Sequence, residues 1–166
     1  MYKDILLEKN YYNYYRILRD DNNVYSTYLQ IFLNAALIGC MENIQKFEEK
    51  NDSESRNRIP LSVIINNKYD FECIVNVITF IHFLRIGEER IFEKVFIDSD
   101  DALKQKQEIA ENYARGGIKK LYDLIMEDVS HKEDIMDNIL EVLDDPNAIE
   151  FKKEIGSIED VIKNFV

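Results

Sequence analysis

A polar turn stands directly before a long apolar pattern in Arg16-Ile17-Leu18-Arg19-Asp20-Asp21-Asn22-Asn23-Val24-Tyr25 and the residues that follow it. Asp and Asn are favoured N-caps, so the turn over 19–23 predicts a helix from about residue 24 to 48. The apolar positions of this helix cover a broad face, which indicates a place at the centre of the core. Val24 would then lie on the first helical turn, where free backbone N–H groups and the helix dipole lower the pKa of a thiol. Valine has an aliphatic side chain, with no ionisable group whose pKa could be lowered.

The rest of the chain also favours helices, since Gly and Pro number only 5 and 2. Periodic apolar positions predict helices over 2–18, 71–86, 88–96, from Asp98 to a stop at Arg115-Gly116-Gly117, 118–129 and 131–143. Residues 61–65 fit a short strand or a helical turn equally well, and 148–155 would make one strand. A flexible loop is expected at about 49–58. The sequence thus predicts one compact domain over 1–166, mainly α with an α+β remnant of at most one or two short strands.

The charge of the chain restricts its partners. The formal net charge is −11. Because phosphate backbones are bound by clustered Lys and Arg, direct nucleic-acid binding is disfavoured and basic protein surfaces are the natural partners. No apolar run reaches the length of a membrane span, and no signal pattern is visible at Met1, so we expect a cytoplasmic or nuclear location.

The residues that commonly carry catalysis are few. The two cysteines, Cys40 and Cys73, both fall on apolar helix patterns, so we expect buried, reduced thiols. His82 lies inside an apolar helix and fits a core or interface position, whereas His131 begins a helix and is expected to be solvated. Neither the spacing of these four residues nor the acidic turns predict a metal site, and no phosphate loop is present. We therefore expect no cofactor and no enzymatic activity.

Tyrosines are concentrated near the N-terminus, beside two arginines. Tyr and Arg are enriched where proteins bind one another. The candidate partner-binding residues are Tyr11, Tyr12, Tyr15, Arg16 and Arg19. In the alternative interpretation, these tyrosines cover the core as an amphipathic rim.

The turn before the apolar pattern resembles the active-site turn of otubains, which are cysteine deubiquitinases. In that family a tyrosine and basic residues precede Asp-Gly-Asn-Cys-Phe-Tyr. Here Tyr14, Arg16 and Arg19 precede Asp21-Asn22-Asn23-Val24-Tyr25. Val24 stands where the family has its catalytic cysteine, and Asn22 replaces the glycine. A weaker downstream resemblance includes Gly116-Gly117-Ile118-Lys119-Lys120-Leu121.

This resemblance implies a shortened otubain-like protein that has lost its nucleophile and its histidine base. Such a protein would act as a binding module, with ubiquitin or a ubiquitin-conjugating enzyme as its partner. In a second interpretation, based on charge, the chain is an acidic factor bound to a large assembly with basic protein surfaces, such as a ribosome or a proteasome.

Overall fold

The fold is mainly helical, as the sequence predicts. The computed structural model describes residues 1–47 and 57–144. These residues form β1 (Ile5–Leu6), α1 (Lys9–Arg16), a π-helical turn (Ile17–Asp21), α2 (Tyr28–Met41), β2 (Arg58–Ile59), α3 (Leu61–Asn66), α4 (Lys68–Arg85), α5 (Ile91–Val95), α6 (Asp100–Met126) and α7 (Lys132–Asp144). The flexible loop predicted at 49–58 lies almost wholly outside the described residues, and so does the strand predicted at 148–155.

Helices α2 and α6 form the centre of the fold. Most side chains of α2 are buried, among them Ile31 and Phe32, which confirms its predicted central place. Helix α6 crosses it at backbone contact distance. A Cβ atom added to Gly117 would lie 2.0 Å from the carbonyl oxygen of Ala35, and one added to Gly39 would lie 2.1 Å from that of Tyr113. Only glycine permits this approach.

This packing corrects the helix boundary predicted at Gly116-Gly117. Glycine often stops a helix, and the pattern in the sequence predicts such a stop here. In the structure α6 continues through both glycines to Met126, because their missing side chains make room for α2 and for the chain that follows it. A Cβ atom added to Gly116 would lie 2.0 Å from the carbonyl oxygen of Ile44. The glycine pair therefore marks the place where two helices cross and not the end of a helix.

The prediction of a helix over 2–18 is wrong for the first residues. Ile5 pairs with Ile59 in a two-stranded antiparallel ribbon, and Ile5 is buried whereas Leu6 is exposed. A distant side chain also holds this segment extended. Gln107 of α6 accepts a hydrogen bond from the Lys3 backbone N–H at 3.0 Å and donates one to the Lys3 carbonyl at 3.1 Å. Contacts remote in sequence therefore decide this element.

Three other boundaries are now fixed. Residues 61–65, left open between strand and helical turn, belong to α3, which follows the strand β2. The interruption predicted at Gly87 is confirmed, since α4 ends at Arg85 and Gly87 has a φ of 68°. Helix α7 matches the prediction over 131–143 closely.

Candidate protein-binding site

The polar turn before α2 leaves the preceding helix through a left-handed residue. The helix α1 runs into the π-helical turn Ile17–Asp21, so the predicted turn over 19–23 begins later than expected. The side chain of Asn22 donates a hydrogen bond to the Ile17 carbonyl at 3.0 Å. Asn23 then adopts a φ of 57°, a conformation that asparagine tolerates better than most residues. These two asparagines end the helix and direct the chain towards α2.

Helix α2 begins later than the sequence predicts, and this removes Val24 from its first turn. The first helical residue is Tyr28, and the N-cap is Thr27. The Thr27 side chain accepts a hydrogen bond from the backbone of Gln30, and the Gln30 side chain accepts one from the backbone of Thr27. This reciprocal capping fixes the start of the helix. Val24 instead lies in the connecting segment, where the dipole of α2 would not activate a nucleophile.

Charged and aromatic side chains hold the turn in one shape. Arg19 pairs with Asp20 at 2.8 Å, donates to the Ser26 carbonyl at 3.1 Å, and places its guanidinium 4.8 Å from the centre of the Tyr28 ring. The Tyr28 hydroxyl donates to Asp20 and lies 3.2 Å from the Tyr12 hydroxyl. Burial, followed by the hydrogen bond to Asp20, raises the pKa of Tyr28, so this hydroxyl keeps its proton. These contacts within the chain fix the shape of the turn.

A cleft opens beside this turn. Its volume is about 830 Å³, and its lining residues are Arg19, Asp20, Asn23, Val24, Tyr25, Ser26, Gln30 and Asn34. A second cleft of about 430 Å³ adjoins it and shares Val24, Tyr25 and Asn34. Aliphatic side chains of α2, α6 and α7 line this second cleft, among them Leu37, Leu124 and Ile139. The two clefts together form a concave surface with a polar end and an apolar end.

The predicted partner-binding residues divide between surface and core. Tyr15 is only 3% exposed and belongs to the core, so it is not available to a partner. Tyr11 and Tyr12 are half-buried and pack against the core, as the alternative of an amphipathic rim predicts. Arg16 is exposed but pairs with Asp21 at 3.2 Å. Of the five residues, Arg19 alone lines the cleft, together with Asn23, Val24 and Tyr25 of the predicted turn.

The two cysteines and two histidines lie in different surroundings in the described part of the chain. Cys40 is buried, and desolvation raises the pKa of its thiol to about 11. Cys73 is exposed, so the prediction of two buried thiols is wrong for this residue, which lies on the outer face of α4. His82 is half-buried, with Nδ1 3.2 Å from the Tyr113 hydroxyl, whereas His131 is exposed as expected. Across residues 1–47 and 57–144, no group of three or more metal-binding side chains is found.

Sequence reasoning missed a buried ionic cluster. The guanidinium of Arg115 on α6 binds Glu8 and lies 3.4 Å from Glu111, and the side chains of all three are at most 10% exposed. The cluster joins Glu8, which follows β1, to helix α6. The spacing of Glu111 and Arg115, one helical turn apart on a largely apolar face, was the only available signal.

The fold and the site together define a mainly helical protein with a two-stranded ribbon and a preformed cleft beside the start of its central helix. None of the helices described, in either segment of the chain, is long and apolar enough to cross a membrane. Residues 9–155 match the family of DNA sulphur modification system-associated protein 4, and the chain belongs to this family. Neither a curated protein nor a solved structure gave a significant match.

This match corrects the resemblance to otubains and both interpretations of function. The chain is not an inactive otubain-like protein, so a role in binding ubiquitin or a ubiquitin-conjugating enzyme has no basis. The second interpretation, a factor of the ribosome or proteasome, has no support either. The resemblance rested on residue types that any capped helix start uses, and the structure places Val24 before the first turn of α2, where the resemblance does not expect it.

Proposed function

We propose that this chain is a non-catalytic accessory protein of a DNA sulphur modification system, and that it acts by binding another protein of that system. The family match over residues 9–155 is the observation that carries the proposal. The proposal includes a location in the cytoplasm, beside the DNA that such a system serves.

Electrostatics support binding to a protein over binding to DNA. The chain has a net charge of −11. Within the two described segments, ten Lys and Arg side chains already pair with carboxylates of the same chain. DNA binding depends on clustered cations that neutralise phosphates, and paired cations supply little of that charge. Proteins that themselves contact DNA have basic surfaces, and such a surface is complementary to this chain.

The chemistry of the described side chains supports a non-catalytic role. A thiol nucleophile must be ionised and must lie near a base. Cys40 is held by burial in its protonated form, and burial also lowers the pKa of His82, whose ring contacts Tyr113. The cleft beside Arg19 and Tyr25 is instead suited to recognition, since its charged groups are already paired with one another.

Co-purification tests the proposal. The tagged chain is expressed in cells that carry a DNA sulphur modification system, the lysate is digested with nuclease, and the retained proteins are identified by mass spectrometry. We expect a protein of that system to be retained in a fixed ratio to the tagged chain after the DNA has been removed. The matched control is the same tagged chain in cells from which the system has been deleted.

Two results contradict the proposal. One is retention that disappears with nuclease treatment, since DNA would then be the link. The other is a retained set that is the same with and without the modification system.

A further inference from the structure

An aromatic surface lies on the outer side of α4 and α5. The rings of Phe80 and Phe92 have their centres 5.3 Å apart, and those of Phe92 and Phe96 are 6.5 Å apart and nearly parallel at 9°. Phe92 is 50% exposed and Phe96 64% exposed. Val77, one turn before Phe80 on α4, and Ile97, next to Phe96, are also exposed. We call these five residues the α4–α5 aromatic surface.

Phe80 is partly buried against the core, whereas Phe92 and Phe96 lie largely outside it. Helix α5 is anchored by Ile91 and Val95, which are 5% and 1% exposed. Phe92 and the C-cap residue Phe96 each follow one of these anchors by one position, which is about 100° further round the helix axis, and both are exposed. A contiguous exposed apolar patch of this kind is characteristic of an interaction site.

The charges at the edge of the surface indicate the chemistry of its partner. Both cations of α5 are engaged within the chain, because Lys94 pairs with Glu88 at 2.6 Å and Arg90 pairs with Glu93 at 3.6 Å. Glu89 and Asp98 are exposed carboxylates at the two ends of the same segment. The edge therefore has a surplus of negative charge, which a cationic partner would neutralise.

We propose that the α4–α5 aromatic surface binds a basic amphipathic segment of a partner protein, with apolar side chains against the phenylalanine rings and Lys or Arg beside Glu89 and Asp98. Arginine is well suited, since a guanidinium also binds the face of an aromatic ring. A second copy of this chain is a poorer occupant, because a two-fold contact would bring the same carboxylates together. The inference rests on the proposed function and adds to it a second binding surface, separate from the cleft beside Arg19 and Tyr25, together with the chemistry of the segment bound there.

Peptide titration tests the inference on the full chain. The probe is a fluorescent amphipathic peptide of Leu and Lys, about 18 residues or roughly five helical turns long, and a Leu and Glu peptide of the same pattern is the comparison. We expect the Lys peptide alone to bind, with an affinity that falls as salt is raised. The double substitution Phe92→Ser and Phe96→Ser should weaken binding at least about tenfold, which is the effect of losing a hot spot of this kind.

Phe47→Ser is the matched control, since Phe47 is 71% exposed and lies outside this surface. It should leave the affinity unchanged, and circular dichroism should show the same helix content in all three proteins. Equal binding by the double variant, or binding of the Glu peptide as tight as that of the Lys peptide, would overturn the inference. So would a dimer in analytical ultracentrifugation that the double variant loses, because a second copy would then be the occupant.

The two proposals fail separately. If a protein of the modification system co-purifies but the Lys peptide does not bind, the proposed binding surface is wrong and the proposed function stands. If the Lys peptide binds as expected but nothing of the system co-purifies, the surface is right and the function is wrong.

Discussion

The crossing of α2 and α6 makes a quantitative prediction for Gly117→Ala. The new Cβ atom would lie 2.0 Å from the Ala35 carbonyl oxygen and 2.5 Å from the Gly39 nitrogen, where ordinary contact begins at 3.4 Å. Backbone atoms cannot rotate away as a side chain does, so the two helices must separate. Overpacking of this kind costs about 3 kcal/mol at its upper range. Alanine recovers about 1 kcal/mol through its higher helix propensity, which leaves a net loss of about 2 kcal/mol.

Urea denaturation followed by circular dichroism measures this loss. For a chain of this size it corresponds to a melting temperature lower by roughly 4–8 °C. Gly87→Ala is the control, because no atom lies within 4 Å of its added Cβ but its φ is 68°. Its expected loss is about 1 kcal/mol, from the left-handed backbone alone. If Gly117→Ala is as stable as the unsubstituted chain or more so, the helices do not approach as closely as described.

Three further predictions concern buried groups. Arg115→Ala removes the guanidinium that binds Glu8 and lies 3.4 Å from Glu111, so two buried carboxylates lose their cation, although Gln107 still donates to Glu111. The substitution should cost about 3–5 kcal/mol in urea denaturation, whereas Arg90→Ala at an exposed ion pair should change stability by less than about 0.5 kcal/mol. Burial lowers the pKa of His82, so the unfolded chain binds the proton more readily and stability should fall as the pH drops below the ordinary value of 6.5. His82→Gln should reduce that slope between about pH 5 and 7, and an unchanged slope would show that His82 is not responsible. A thiol reagent should modify Cys73 in the native protein and Cys40 only after denaturation, and rapid native reaction of both thiols would contradict the burial of Cys40.

The sequence predicts two of the longer helices well because their apolar periodicity directly reflects burial. Helix α4 and helix α7 are found close to where the pattern places them. The short elements depend on remote partners. Nothing near Lys3 in the sequence reveals that Gln107 will hydrogen-bond its backbone, so the local pattern predicts a helix where the structure has a strand.

The glycines and the turn before α2 show why a local pattern can mislead about function. In the sequence, a glycine that ends a helix cannot be told from one that lets a second helix approach. Only the position of Ala35 in the structure shows that Gly117 is of the second kind. Asp and Asn before an apolar pattern indicate a helix start nearby, but the capping pair of Thr27 and Gln30 fixes that start at Tyr28. The cleft lined by Arg19 and Tyr25 was found near the predicted site because a connection between two helices lies at the surface.

The most direct test asks whether the purified chain binds DNA. A labelled duplex of about 30 base pairs, roughly three helical turns, is prepared with and without sulphur modification and titrated with the chain at about 0.15 M salt. Fluorescence anisotropy should show no binding of either duplex up to about 10 µM chain, because the net charge of the chain is −11 and ten Lys and Arg side chains of the described segments pair with its own carboxylates. Saturable binding of either duplex that weakens as salt is raised would show that the chain serves its system through contacts with DNA itself, and the proposal of a protein-binding accessory would fail.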